Sequence, residues 1–187
     1  ETGVKSDKLQ VVMFTSANPG AGKTFVSSNL AMSIAQTNKK VVLVDVDIRK
    51  GTLSGIFSNS SNRMGLTHYL SGSTDKVDDI VGTSEEYEKL DVIFSGPVPP
   101  NPAELLLSER FDRLITELRK RYDYIIVDNV PAGMVADASI VNRVVDLTIF
   151  VVRSGVMDRR QLPELENMYR QEQLHNLSVI LNGVPLE

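Results

Sequence analysis

Residues 9–29 read LQVVMFTSANPGAGKTFVSSN, and this stretch decides the fold. An apolar, β-type run at 11–14 leads into a Pro/Gly loop at 18–22, and a helical pattern follows Lys23 and Thr24. Strand, glycine loop, Lys-Thr and helix in this order form the arrangement that cradles a polyphosphate. Backbone N–H groups turn inward as an anion-binding nest, and the helix N-terminus adds a partial positive charge.

The loop predicts a specific set of phosphate-binding residues. Lys23 is expected to reach the β- and γ-phosphates, and the Thr24 hydroxyl is expected to ligate Mg²⁺. The full predicted nucleotide-binding set around them is Asn18, Pro19, Gly20, Ala21, Gly22, Lys23, Thr24 and Phe25. The alternative is an ordinary strand-turn-helix with a surface lysine.

One position departs from the general pattern G-x-x-x-x-G-K-[ST]. Its first glycine falls at position 17, where this chain has Ala17. Alanine disfavours left-handed backbone, so the loop is expected to begin in a conformation that is open to L-residues. The variant motif points to a subfamily.

Composition excludes several classes of function. With 187 residues, we expect a single domain, 1–187, in which 1–8 are a residual linker. The net charge of −4 gives no overall attraction to nucleic acid, and no nucleic-acid partner is expected. The chain has no cysteine, and its two histidines, His68 and His175, are too far apart in sequence to indicate a zinc centre. No apolar run reaches the roughly 18 residues of a membrane span, and this chain itself is expected to be soluble.

The rest of the chain alternates strands and helices. Strands are predicted at 11–14, 41–47, 90–94, 124–128, 147–152 and 178–181; helices at 26–35, 65–70, 75–81, 102–120, 137–145 and 158–173; and a mobile loop at 58–62. Asn38 is expected to close the first helix, and Asn101 to cap the helix that begins at Pro102. This alternation predicts an α/β fold with a mostly parallel sheet and helices on both faces.

Three carboxylates end apolar strand patterns. In an open α/β sheet, ligands bind outside the carboxyl ends of the strands, where Asp45, Asp47 and Asp128 fall together with the loop. Hard oxygen ligands suit a Mg²⁺ held against phosphates. Because Asp45 and Asp47 lie two residues apart, an extended backbone would point both at the γ-phosphate, one as metal ligand and one as proton acceptor. Taken alone, each of these three carboxylates would also fit a residue that caps a helix or stabilises a turn. Arg49 fits either a phosphate contact or a solvated side chain.

These residues carry a resemblance to a known family. The segments 16–24, 42–49 and 125–128 resemble the Walker A, A′ and B motifs of bacterial tyrosine kinases, the polysaccharide co-polymerase kinases of capsule and exopolysaccharide export. Residues 100–106 resemble another stretch typical of that family, and the likeness covers about 8–184. The resemblance implies a P-loop NTPase fold of the Par/Min-like branch.

The resemblance also implies roles for the site residues. Lys23 and Thr24 would bind phosphate and Mg²⁺, Asp47 would ligate Mg²⁺, and Asp128 would hold it directly or through water. Asp45 would activate the tyrosine hydroxyl.

Further implications concern the base and the partners. Asn182 matches an asparagine that often contacts adenine in related ATPases. The family works with ATP and Mg²⁺ in ring oligomers, phosphorylating a tyrosine cluster of a neighbouring subunit. Its members pair with a membrane-spanning chain-length regulator, fused or separate, and with a cognate tyrosine phosphatase, at the cytoplasmic face of the bacterial inner membrane.

Several departures keep alternatives open. At the B motif, the family usually has Asp-Thr-Pro-Pro, whereas residues 128–131 of this chain read Asp-Asn-Val-Pro. The ring-forming N-terminal helix of the family is not expected in this chain. Its C-terminal tyrosine tail is not expected either, since the last tyrosine here is Tyr169. A partition or septum-positioning ATPase of the Par/Min type shares the predicted fold but carries an extra loop lysine at the position of Asn18. A nucleotide-binding regulator without catalysis is the third alternative.

Overall fold

The computed structural model describes residues 9–51, 53–57, 64–131 and 135–185. The strands are β1 Val11–Thr15, β2 Val41–Asp45, β3 Gly82–Thr83, β4 Leu90–Ile93, β5 Tyr124–Asp128, β6 Leu147–Arg153 and β7 Ser178–Asn182. The α-helices are α1 Lys23–Gln36, α2 Leu66–Leu70, α3 Pro102–Leu107, α4 Glu109–Arg121, α5 Val135–Asn142 and α6 Leu162–Arg170. Short 3₁₀ turns occur at Leu53–Gly55, Val77–Asp79 and Arg159–Gln161. The predicted linker at 1–8 and loop at 58–62 lie outside these residues.

The strands form a seven-stranded sheet in the order β3-β4-β2-β5-β1-β6-β7. All neighbours pair in parallel except β3 and β4, which are antiparallel. The phosphate-loop strand β1 therefore lies beside β5, and β5 lies beside β2. Register pairs Asp128 with both Phe14 and Asp45 at the carboxyl edge, which brings the predicted loop and acidic residues together.

Helices cover both faces of the sheet, as predicted. Alternate residues of the continuous apolar strands point to opposite faces, so each strand needs two apolar layers. One layer packs Val11, Met13, Val42 and Val44 with Phe111 and Leu114 of α4. The other packs Val12, Phe14, Val41 and Leu43 with Ala31 and Ala35 of α1. Because these residues of α1 are small, the helix lies close to the sheet.

Several helix predictions need correction. The predicted helix at 75–81 is only the 3₁₀ turn Val77–Asp79, and the antiparallel edge strand Gly82–Thr83 that follows was not predicted. The helix expected at 158–173 begins as a 3₁₀ turn capped by Asp158, whose Oδ1 accepts the Arg160 N–H at 2.9 Å, and becomes α6 only where Pro163 enters its first turn. The helix expected at 137–145 lies at Val135–Asn142.

The single helix predicted at 102–120 is two helices divided at Ser108. Ser108 has an extended backbone, with φ −68° and ψ 150°, and its hydroxyl donates to the Leu105 carbonyl at 2.6 Å. Serine competes in this way with the regular backbone bonds of a helix. Asn101 begins α3 as predicted, although its side chain donates to Glu104 at 2.7 Å and not to the helix backbone.

Asp146 joins three elements at the amino edge of the sheet, opposite the predicted site. Its carboxylate accepts the N–H groups of Gln10 and Val11 at 2.9 and 2.8 Å and pairs with both Nη atoms of Arg119. Burial alone would raise the pKa of Asp146, but the Arg119 guanidinium and the two N–H donors hold it below the ordinary value. The ionised form therefore stabilises the fold at neutral pH. Within the described residues, no helix has both the length and the hydropathy of a membrane span.

The substitution Asp146→Asn is expected to lower the free energy of unfolding by about 1–3 kcal/mol at pH 7, since it removes a charged acceptor from several donors. The folded-state pKa lies below the unfolded value of about 3.9, so this contribution is present above that pH and is lost as the pH falls through the folded pKa. Urea unfolding at pH 7 and pH 3 measures both effects. Glu166→Gln, in the exposed pair with Arg170, is the control, with an expected change below about 0.5 kcal/mol. If Asp146→Asn lowered the free energy of unfolding by as much at pH 3 as at pH 7, this interpretation of Asp146 would be contradicted.

Candidate functional site

The loop between β1 and α1 has the backbone geometry of a phosphate nest. Gly20 and Gly22 have φ of +78° and +94°, values that L-residues rarely adopt. Ala17 is not among the described non-glycine residues with positive φ, which confirms that the loop begins in a conformation open to alanine. Gly22 is the N-cap of α1, so the loop leads directly into the helix N-terminus.

A cavity of about 560 Å³ opens above this loop. Its volume is that of a small-molecule site. The described residues that line it are Ala17, Pro19, Gly20, Gly22, Lys23, Thr24, Phe25, Asp47, Arg49, Lys50, Val130 and Pro131. Eight of the predicted site residues are therefore brought to one cavity, namely Pro19, Gly20, Gly22, Lys23, Thr24, Phe25, Asp47 and Arg49.

Lys23 and Thr24 occupy the first turn of α1. Partial burial lowers the pKa of Lys23, while the carboxylates of Asp128 and Asp47 act in the opposite direction. The Thr24 hydroxyl donates to Oδ2 of Asp128 at 2.6 Å. The helix N-terminus thus has the Lys23 cation and the carboxylates of Asp47 and Asp128 close to it.

The donor set fits Mg²⁺. Thr24 and Asp128 present a hydroxyl and a carboxylate in contact, and Asp47 lines the same cavity. Mg²⁺ at nucleotide sites takes one or two carboxylates and completes its shell with phosphate oxygens and water. Among the described residues, no three His, Cys, Asp or Glu side chains form a metal-holding cluster, and such a Mg²⁺ site does not need one.

Asp45 is fully buried and lies outside the described lining of the cavity. Its Oδ1 accepts the Asp47 N–H, and its Oδ2 accepts the Leu53 N–H, both at 3.1 Å. Burial raises the pKa of Asp45 to about 7; these two N–H groups oppose the shift, and the charges of Asp128 and Asp47 add to it.

The expectation that Asp45 and Asp47 project from one extended strand is wrong. Strand β2 ends at Asp45, and the chain turns after Asp47, whose carbonyl accepts the N–H groups of Lys50 and Gly51. Side-chain alternation does not apply beyond the strand. Asp47 therefore reaches the cavity, while Asp45 lies beneath the turn.

Two further predicted residues make hydrogen bonds that hold the loop and lie outside the described lining of the cavity. The Asn182 amide donates to the Ala21 carbonyl at 3.0 Å, and an adenine contact for Asn182 stays a prediction. The Asn18 amide pairs with that of Gln161, at 3.0 and 3.4 Å. Neither asparagine is among the described lining residues. Ala21 is buried within the loop.

Residues missed by the sequence reasoning also belong to the site. Lys50, Val130 and Pro131 line the cavity, and Arg153 donates to the Gly20 carbonyl at 3.0 Å. The position of Lys50 next to the predicted site residue Arg49 could have indicated that Lys50 belongs to the site. No sequence signal marked Arg153, which is 133 positions from its partner.

The end of β5 stays paired with β1, although residues 128–131 depart from the usual B motif of the family. Asn129 is buried, its N–H donates to the Phe14 carbonyl at 3.1 Å, and its Oδ1 accepts the Val130 N–H at 2.8 Å. The Thr15 hydroxyl donates to the Val130 carbonyl at 2.9 Å. These bonds tie the end of β5 to the end of β1, next to Asp128.

Comparison with known sequences shows the family of the chain. A family model described as AAA domain matches residues 9–154. The tyrosine-protein kinase CpsD of Streptococcus pneumoniae is 40% identical over 183 residues, covering 98% of this chain and 80% of the relative. The tyrosine-protein kinase etk of Escherichia coli K12 is 38% identical over 93% of this chain, which spans only 24% of that longer protein.

Solved structures give the same result. The kinase domain of Escherichia coli tyrosine kinase ETK superposes with a TM-score of 0.86 at 36% identity, covering 96% of this chain and 69% of the other. The septum site-determining protein MinD of Pyrococcus horikoshii reaches a TM-score of 0.74 at 22% identity, covering 92% of this chain and 69% of that one, and shares the fold alone. The chain therefore belongs to the bacterial tyrosine-protein kinases.

Proposed function

We propose that this chain binds Mg·ATP in the cavity above the phosphate loop and transfers the γ-phosphoryl group to tyrosines of a neighbouring copy. The observation that carries the proposal is the joint placement of Lys23, Thr24 and Asp47 around one cavity, with Asp128 bonded to Thr24. Phosphoryl transfer needs positioned phosphates, a cation that carries the developing charge, and a proton acceptor. Kinship with tyrosine-protein kinases specifies the acceptor as a tyrosine hydroxyl.

Each residue has a distinct proposed role. The N–H groups of the loop and the ammonium of Lys23 hold the phosphates. Thr24, Asp47 and Asp128 would hold Mg²⁺, which supplies positive charge against the phosphate oxygens when it is bound. Phe25, two-thirds exposed at the cavity edge, offers an aromatic surface to the nucleotide.

Asp45 is proposed as the residue that accepts the proton of the attacking hydroxyl. The tyrosine oxygen bonds to the γ-phosphorus, the bond from that phosphorus to the β–γ bridging oxygen breaks, and ADP leaves. Asp45 is held beneath the Asp47 turn by the Leu53 N–H, so we propose that this turn opens when the acceptor binds.

The cellular setting is proposed from the same kinship. One relative is a putative tyrosine-protein kinase in the cps region of Klebsiella pneumoniae, 40% identical over 93% of this chain. We propose that the chain regulates capsule or exopolysaccharide synthesis and export. Its proposed partners are further copies in a ring, a membrane-spanning chain-length regulator and a tyrosine phosphatase, at the inner face of the membrane.

The substitution Lys23→Met is expected to raise the Kd for Mg·ATP at least about tenfold and to reduce phosphotyrosine formation to background, since one charge-assisted contact to phosphate is lost. Calorimetric titration and phosphotyrosine immunodetection measure the two effects. Lys39→Met, on an exposed lysine after α1, is the matched control and should leave both unchanged. Unaltered ATP affinity in Lys23→Met would contradict the placement of the phosphates.

The substitution Asp45→Asn is expected to leave ATP binding in place while phosphotyrosine formation falls about 10²-fold or more, the usual contribution of a positioned proton acceptor. Single-turnover transfer to a tyrosine-rich peptide, with the Kd for ATP measured in parallel, separates the two. Asp112→Asn, in an exposed pair with Arg143, serves as the control. Intact phosphorylation by Asp45→Asn would remove Asp45 from this role.

A third experiment separates the kinase from the Par/Min-type ATPase and the inactive regulator. Incubation with Mg·ATP and a tyrosine-rich tail peptide is expected to yield phosphotyrosine that mass spectrometry detects. Hydrolysis without transfer, stimulated by DNA or lipid vesicles, would favour the partition-type ATPase. Binding with neither reaction would favour the regulator.

A further inference from the structure

Two side chains at the carboxyl ends of β6 and β7 hold consecutive carbonyl groups of the phosphate loop. Arg153 Nη1 donates to the Gly20 carbonyl at 3.0 Å, and Asn182 Nδ2 donates to the Ala21 carbonyl at 3.0 Å. Arg153 and Asn182 are register partners across the β6–β7 pair. The sheet thus presents two donors side by side to two successive peptide groups.

These bonds fix the direction of the N–H groups that follow. In a planar trans peptide, the C=O of one residue and the N–H of the next point in opposite directions. No described peptide bond is cis. When Arg153 and Asn182 draw the carbonyls of Gly20 and Ala21 toward β6 and β7, the N–H groups of Ala21 and Gly22 point the other way.

The lining of the cavity points to the cavity side as this direction. Gly20 and Gly22 line the cavity, whereas neither Arg153 nor Asn182 is among its described lining residues. Backbone N–H groups at these loop positions are the ones that cradle the α- and β-phosphates in a phosphate loop.

We propose that Arg153 and Asn182 are positioning residues that aim the N–H groups of Ala21 and Gly22 at the α- and β-phosphates. The inference rests on the proposed function only in taking the ligand to be a nucleotide. It gives Asn182 a role other than reading adenine, and it gives Arg153 a role other than contacting phosphate.

The packing around both side chains supports the assignment. A Cβ at Gly22 would lie 2.3 Å from Asn182 Nδ2, so the amide lies directly against the loop backbone. A Cβ at Gly183 would lie 3.3 Å from Arg153 Cγ and Nε, so the Arg153 stem lies against the end of β7. Both donors are therefore confined by neighbours that have no side chain.

Asn182→Ala separates positioning from adenine recognition. ATP and ITP differ at position 6 of the purine, where an amino donor is replaced by a carbonyl. The positioning role predicts that Asn182→Ala raises the Kd for both nucleotides by the same factor, about tenfold, with the ATP-to-ITP ratio unchanged. Asn167→Ala, on the exposed side of α6, is the control. A ratio that collapses toward one, or no change in either Kd, would overturn the inference for Asn182.

Arg153→Met separates positioning from a direct γ-phosphate contact. Positioning predicts that the Kd values for ATP and ADP rise by the same factor, about tenfold, and that Arg153→Lys, which keeps a donor of similar reach, restores part of the affinity. Arg170→Met, in an exposed pair with Glu166, is the control. Loss of ATP affinity with ADP affinity intact, or no loss of either, would overturn the inference for Arg153.

Calorimetric titration of the ligand-free chain supplies every Kd, and thermal unfolding without nucleotide shows whether each variant keeps its fold. A variant that loses its fold is replaced by Asn182→Ser or Arg153→Gln, with the same ratios as the readout. Wild-type protein that binds no ATP would contradict the proposed function itself. Wild-type binding with variants of equal affinity would contradict this inference alone.

Discussion

The hydrogen bond from Thr24 to Asp128 is the contact on which the site depends. It joins the first turn of α1 to the end of β5 at 2.6 Å, while β1, which leads into the loop, pairs directly with β5. The loop is therefore fixed at both ends by one pair of parallel strands. Because parallel strands end at the same edge, the sheet brings a helix N-terminus and carboxylates together without any long connection.

The carboxyl edge of the sheet also holds carboxylates that are buried, although burial disfavours their charged form. Asp45 and Asp128 are register partners, and both are almost fully buried. Burying carboxylates costs free energy unless donors satisfy them. Asp45 obtains two backbone N–H donors from the segment that follows β2, and Lys23 supplies a cation near Asp128 and Asp47. Elements that are locally unfavourable, yet supported by their surroundings, are typical of functional sites.

Sequence reasoning recovered the parts of this structure that depend on local pattern. Buried parallel strands are continuous apolar runs, so β1, β2 and β5 were predicted with their carboxyl tips, and Lys23, Thr24, Asp47 and Arg49 were correctly grouped. The separation of Asp45 from Asp47 was missed because it depends on a turn that includes a bond to Leu53, eight positions on. The break at Ser108 depends on one side-chain bond that competes with the helix. Arg153 and Gln161 were beyond reach because their partners lie more than 130 positions away.

The fold alone does not select the reaction, since MinD shares it at a TM-score of 0.74 and only 22% identity. The loop position of Asn18 does discriminate. The Par/Min-type alternative is expected to carry a lysine at this position. Here the Asn18 amide pairs with Gln161 of its own chain, and the Gln161 Oε1 also accepts the Asp158 N–H that begins the turn before α6. In this chain the position therefore ties the phosphate loop to the 3₁₀ turn that precedes α6.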